Sequence, residues 1–486
     1  MKTRQIAPLT LIAVAGCIEE SLAQNNARPN VVLIITDQQN VNKIAAMGDH
    51  RLTTPAFDYL IQNGYCFTQS YCVYPLSVPS RFSMFTGYYP SQFNINNNNC
   101  APADVPKFMN GVPKEELLGA LFAKAGYDTW YGGKTHLPGA ANNPGQVKYY
   151  GFANFYSNET RAKLGLQAAE LLNGLRNHPK PFFMVASFIN PHDICQYDYF
   201  IGHPVNANEV NPNDKTLPMI NIVARADSIE RGGKALYESI FPPLPFNFQP
   251  IQPAPVMRMP GVYPTFPNPE SDTLQWRKRS WTYDRIVEAA DNEFKPLLDA
   301  FIRNRMFENT ILVFVSDHGE LNGAHQMERK MAPYEECQKV PFIFTGKGIR
   351  HHRDDINMAN TGVDLMPTLC DLAGIKWPSA LPGKSLKGLL TGKQTLLGRD
   401  FLFLEGGTKP KWYQVTYQDR TASPGHIYKY TVFAEGKPWP EMLVDIKNDP
   451  GEMKNVVGDA NYAPMKSKLR SILQAELNSR GITNKN

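Results

Sequence analysis

The chain alternates short, near-continuous apolar runs with segments of helical period, and this alternation predicts an α/β fold. The run Val31-Val32-Leu33-Ile34-Ile35-Thr36 is apolar at successive rather than alternate positions, as a strand buried on both faces must be, and Asp37 follows it directly. Further strands are predicted at Thr129 to Tyr131, Phe182 to Ser187, Ile311 to Val315 and Val340 to Phe344. Helical period is expected over Thr53 to Gln62, stopping near Gly64, over Lys114 to Ala125, ended by Gly126, and from about Trp276 to Arg305. Two stretches interrupt the pattern. Phe93 to Cys100 is rich in asparagine, which favours an irregular loop. Pro242 to Pro269 is too dense in proline for regular helix or a central strand. It reads equally as an excursion shaping a substrate cleft and as a strap over the core.

After about residue 390 the pattern changes. Short strands are expected at Phe401 to Leu404, Tyr413 to Tyr417 and Tyr428 to Phe433, before Leu443 to Pro450, and a helix from about Met465 to Arg480 closes the chain. The prediction is a large α/β domain over residues 25–390 and a smaller α+β subdomain over residues 391–486.

Composition narrows the class. The 42% hydrophobic and 20% charged content fits a globular protein, and a net charge of +5 is too small to imply nucleic-acid binding. Lys2 and Arg4 precede a short apolar stretch, Ile6 to Gly16, which predicts an export signal over residues 1–24. That stretch is too short to span a bilayer, and no later run is long and apolar enough, so no transmembrane helix is expected. Two processing routes are open. Val14-Ala15-Gly16-Cys17 resembles a lipoprotein box that would leave Cys17 carrying a lipid anchor, and Ser21-Leu22-Ala23 resembles an ordinary cleavage site. The expected location is the periplasm, or the cell envelope through that anchor. The other cysteines, Cys66, Cys72, Cys100, Cys195, Cys337 and Cys370, form no close pair, which argues against a zinc cluster and fixes no disulfide.

Ser77-Val78-Pro79-Ser80-Arg81-Phe82-Ser83-Met84-Phe85-Thr86-Gly87 suggests a helix opening around Pro79. A helix N-terminus offers free N–H groups and a positive dipole end, and Arg81 adds a planar fork of donors for a sulfate or phosphate. Asp37 and Asp317 each follow a buried strand, where ligands bind in open α/β sheets. Two carboxylates converging at one rim repel unless a cation lies between them, and oxygen ligands favour Ca²⁺ or Mg²⁺.

The Ser-x-Pro-Ser-Arg segment with its Thr86-Gly87 resembles the signature of the type I, formylglycine-dependent sulfatases, in the serine-type bacterial branch of the alkaline phosphatase superfamily. The family usually carries Leu at the position of Phe85. Gly132-Gly133-Lys134-Thr135-His136, Pro191-His192, and the stretch Asp317-His318-Gly319, Gly323, His325, Lys330, Tyr334-Glu335 resemble further family elements, in chain order. The likeness runs from about Pro29 to Leu372, with a weaker echo at Asp449-Pro450-Gly451-Glu452.

The resemblance implies an alkaline phosphatase-like fold, a large mixed sheet sandwiched by helices. It implies that Ser77 is oxidised to formylglycine (3-oxoalanine) by a separate maturase. It implies Asp37, Gln38, Asp317, His318 and an oxygen of residue 77 as ligands of Ca²⁺ or Mg²⁺. Many members carry Asp in place of Gln38 and Asn in place of His318. The expected roles follow. Asp317 takes the proton of the attacking hydroxyl; Arg81, Lys134 and Lys330 hold the sulfate; His192 protonates the leaving oxygen; His136 deprotonates the second hydroxyl. The expected substrate is a sulfated extracellular glycan such as a glycosaminoglycan or an algal polysaccharide. Two other readings stay open: a phosphate or phosphonate monoester hydrolase, and a non-catalytic protein that binds sulfated glycans.

Overall fold

The apolar run after Pro29 forms the strand Asn30–Asp37, buried throughout, at the centre of an eight-stranded sheet. The computed structural model describes residues 28–482 apart from 99–110, 139–143, 198–216, 255–271, 422–424, 435 and 437. The strand order is Asn154–Ser157, Asp128–Gly133, Phe182–Pro191, Asn30–Asp37, Thr310–Ser316, Phe342–Gly346, Tyr65–Phe67, His352–Asp354. Val32 lies opposite Met184 on one side and Leu312 on the other, both pairings parallel. Phe342–Gly346 runs antiparallel to both its neighbours, which makes the sheet mixed.

Helices cover both faces. Val31, Leu33 and Ile35 pack with residues of the Ser77–Thr86, Leu118–Lys124 and Leu365–Leu372 helices. Val32 and Ile34 pack with residues of the Pro55–Asn63, Ala162–Gly174 and Thr273–Arg303 helices. This two-sided cover is why the run is apolar at every position. Each buried aliphatic or aromatic side chain contributes about 1.5–3 kcal/mol of transfer free energy. Backbone approach sets one glycine: a Cβ at Gly165 would lie 1.9 Å from the Glu293 carbonyl oxygen on the long helix.

The helix expected over Lys114 to Ala125 is split. Leu117, extended at φ −68° and ψ 146° and fully buried, separates a 3₁₀ turn at Lys114–Glu116 from the Leu118–Lys124 helix. The described part of the proline-rich stretch behaves as a strap: Phe248 and Ile251 are buried, and Gln252 bridges to Lys454. Its remainder, the stretch expected to be an export signal with Cys17, and Cys100 lie outside the described residues. Five cysteines are described, and all are unbridged. No helix among the described residues is long and apolar enough to cross a membrane.

A second sheet, Phe401–Gly406, Trp412–Asp419, His426–Phe433 and Glu441–Asp445, is antiparallel throughout. The Ala463–Ser479 helix closes it with Leu469, Leu473 and Leu477. The Glu452 turn ties this sheet to the larger layer, accepting the Glu335 N–H at 2.6 Å and pairing with Lys429 at 2.6 Å.

Candidate active site

Four neighbouring strands of the large sheet, Asp128–Gly133, Phe182–Pro191, Asn30–Asp37 and Thr310–Ser316, are parallel, so their C-terminal ends lie side by side. Those ends deliver Lys134, His192, Asp37 and Asp317. Gly133 makes the turn into Lys134 at φ 94°, where a Cβ would meet the Ser187 carbonyl oxygen at 2.1 Å. The Ser77–Thr86 helix starts at this rim and is buried along its whole length. Ser80 Oγ donates to the Asp317 carbonyl at 2.6 Å, and Asn98 Oδ1, from the asparagine run, accepts the Val78 N–H at 3.1 Å. Ser77 therefore sits at a pinned helix N-terminus.

Arg81, fully buried one turn further on, joins the two acids. Its Nε donates to Asp317 Oδ2 at 2.8 Å, one terminal nitrogen to Asp37 Oδ2 at 3.0 Å, and the other to Ser187 Oγ at 2.7 Å. Lys134 Nζ lies 2.7 Å from the same Asp37 oxygen. Burial pushes the Asp37 carboxyl up, but Lys134, His192, Arg81 and Lys330 together hold it well below the ordinary carboxylate range. Burial and the neighbouring Asp37 push Asp317 up against the pull of Arg81.

The inner oxygens of these acids face His318. An oxygen from each carboxylate and a His318 ring nitrogen lie within 4.8 Å of one another. His318 Nδ1 is 3.0 Å from the Gly319 carbonyl, which only accepts, so the ring hydrogen is assigned to Nδ1 and Nε2 keeps its lone pair. That Nε2 lies 3.0 Å from Ser77 Oγ, 3.6 Å from Asp317 Oδ1 and 3.9 Å from Asp37 Oδ1. Asp37 Oδ1 is buried and has no hydrogen-bond donor. An orphaned carboxylate oxygen, a second carboxylate and an imidazole lone pair around one hydroxyl fit a divalent cation.

Gln38 follows at φ 69° and is turned into the same region. Its Oε1 accepts from Lys330 Nζ at 2.6 Å, its Nε2 donates to Glu320 Oε2, and its backbone N–H donates to Asp317 Oδ1 at 3.1 Å. As a ligand, Gln38 would share its amide oxygen between the cation and Lys330. His192, His136 and His318 are all held neutral. Burial lowers each, and Lys134 and Lys330 add to the effect, with His136 brought down to about 3.

The residues proposed from sequence thus meet at one rim. Sequence reasoning missed Ser187, which orients Arg81, and Glu320 with Arg279, which stand behind Gln38. Glu320 carried a signal, as an acid immediately after Asp317-His318-Gly319. Arg279 is one charged position in a long helix and carried none. A second group, buried His325 and Glu452 with half-buried Glu336, resembles a metal cluster. There the ammonium of Lys429 already supplies the positive charge beside Glu452.

The sulfatase family model matches residues 29–375. The chain belongs to the sulfatase family. A model of the N-sulphoglucosamine sulphohydrolase C-terminal region also matches, over residues 323–479. The Delta 4,5-hexuronate-2-O-sulfatase of Bacteroides thetaiotaomicron is 29% identical over 469 residues, 93% of this chain and 89% of the relative. The ulvan-active sulfatase of Formosa agariphila is 26% identical over 503 residues, 98% of this chain and 88% of that protein. A solved 2-O GAG sulfatase superposes with a TM-score of 0.71 at 25% identity, covering 93% of both chains. The phosphonate monoester hydrolase of Agrobacterium radiobacter, at 18% identity and a TM-score of 0.65, shares the fold. The sulfatase is accordingly a sulfuric ester hydrolase.

Proposed function

We propose that this sulfatase removes sulfate esters from a sulfated glycan or its oligosaccharides, with formylglycine made from Ser77 as nucleophile. The observation that carries the reading is the position of Ser77. Its hydroxyl opens a buried helix, 3.0 Å from His318 Nε2, in the cluster of Asp37, Asp317, Arg81 and Lys134. Named relatives that act on uronate and ulvan sulfates support a glycan substrate.

Asp37, Asp317, His318, the residue-77 oxygen and, through its shared amide oxygen, Gln38 would hold Ca²⁺, with Mg²⁺ as the second choice. When bound, the cation offsets the two carboxylates and polarises the residue-77 oxygen. Asp317 accepts the proton of one hydroxyl of the hydrated aldehyde. That oxygen bonds to sulfur as the bond from sulfur to the sugar oxygen breaks. Arg81, Lys134 and Lys330 stabilise the charge gathered on the sulfuryl oxygens. Burial lowers His192 first, and Lys134 and Lys330 add to it; negative charge from the bound ester offsets those two cations. His192 is then able to carry a proton and give it to the leaving sugar oxygen. Neutral His136 takes the proton of the second hydroxyl, the carbonyl reforms, and the carbon–oxygen bond to sulfate breaks.

Activity would require the maturase, and the basic start and short apolar stretch at the N-terminus support a location in the periplasm or, through Cys17, lipid-anchored at the envelope. Sulfate release from a panel of defined sulfated mono- and disaccharides, run beside matched phosphate esters, tests the reading. Faster turnover of the phosphate esters would favour a phosphate or phosphonate hydrolase. Saturable binding of sulfated sugars by converted protein with no release would favour a glycan-binding role.

A further inference from the structure

We infer that Glu320 is a positioning residue for sulfate binding, fixing the orientation of the Gln38 carboxamide and through it the ammonium of Lys330. The inference deepens the sulfatase reading and rests on it.

Both Glu320 and Gln38 are fully buried, and Lys330 is 7% exposed. Glu320 Oε1 is saturated by donors. It accepts the N–H of Arg329 at 2.7 Å and of Asn322 at 3.1 Å, and it pairs with Arg279 at 3.0 Å. Arg279 is held in turn by Glu328 at 3.0 Å. Only Glu320 Oε2 remains, and Gln38 Nε2 donates to it. A carboxylate oxygen accepts and never donates, so the Gln38 amide must turn its NH₂ toward Glu320 and its oxygen toward Lys330. The Lys330 ammonium donates to that oxygen at 2.6 Å. This oxygen is neutral, so it places the lysine while leaving its full charge for an anion. A carboxylate at position 38 would hold Lys330 equally well and cancel that charge.

Glu320→Gln is therefore more than a loss of charge. The donors around Oε1 would keep the new amide oxygen, and the new NH₂ would face Gln38. Gln38 must then flip, its NH₂ meeting the Lys330 ammonium, and two donors in contact displace the lysine.

The test is the Kd of inorganic sulfate, measured by calorimetry on calcium-loaded, formylglycine-containing protein, for wild type, E320Q, K330A and the double variant. The expected result is a rise of about ten-fold or more for E320Q in the wild-type background and less than about two-fold in the K330A background. KM for a sulfated disaccharide should rise in E320Q by a larger factor than kcat falls. Equal factors in both backgrounds, or a wild-type Kd for E320Q, would overturn the positioning role while leaving the sulfatase reading intact. No sulfate binding and no sulfate release by converted wild type would instead overturn the reading beneath it.

Discussion

The Ser77 hydroxyl stands 3.0 Å from a His318 nitrogen that has no hydrogen to give. The Gly319 carbonyl binds the ring hydrogen on the other side, so Nε2 presents a lone pair to residue 77 and to the inner oxygens of Asp37 and Asp317. The proposed nucleophile position and the candidate cation cluster are therefore one arrangement.

His318→Ala should weaken Ca²⁺ binding by at least about ten-fold, because a direct ligand matters at least as much as the partners that orient one. His318→Asn, which returns an oxygen to the position, should recover most of it. Calcium titration calorimetry checks both, and unchanged affinity in His318→Ala would remove His318 from the ligand set.

Arg81→Met should destabilise the chelator-treated protein by about 3–5 kcal/mol, since it strands two buried carboxylates that the guanidinium now joins. Added Ca²⁺ should recover part of that loss by supplying positive charge to the same acids. Denaturant unfolding with and without Ca²⁺ measures both effects.

Gly133→Ala should cost about 1–3 kcal/mol, from the left-handed φ and the Ser187 carbonyl in its way. The strain falls on the residue that leads into Lys134, so KM should rise together with the drop in Tm. A normal KM in a destabilised variant would separate the turn from the anion site.

Glu293 predicts a pH dependence of stability. Burial, helped by Asp193, raises its carboxyl to about 8 against the hydrogen bond from Asn190. The folded state thus binds this proton more tightly than the unfolded chain, whose value is near 4.5. The stabilisation is present below that lower value and is lost as pH rises through about 8. Glu293→Gln keeps the shape and removes the titration. Its Tm relative to wild type should climb between about pH 5 and pH 8, and a constant difference would contradict the assignment.

Much of the site was legible because parallel strands buried on both faces announce themselves. Val31 to Ile35 and Ile311 to Val315 are unbroken apolar runs, and the acid two residues beyond each had to emerge at the C-terminal rim. Asn154–Ser157, at one sheet edge, and Tyr65–Phe67, beside the other edge strand, have too few residues to show a period, and neither was expected. The part His318 plays was open because a ring nitrogen acquires a role only from what the other nitrogen bonds. The Gln38 relay was illegible for a related reason. It joins positions hundreds of residues apart, and only the fold puts Arg279 behind Glu320.

The central claim concerns residue 77. Protein from a host that supplies the maturase should be digested with trypsin and the Leu52–Arg81 peptide weighed, with sulfate release measured on the same preparation. The account predicts that the peptide is lighter by two hydrogens in proportion to activity, and that Ser77→Ala is inactive. Full turnover from protein in which that peptide carries unmodified serine would contradict it.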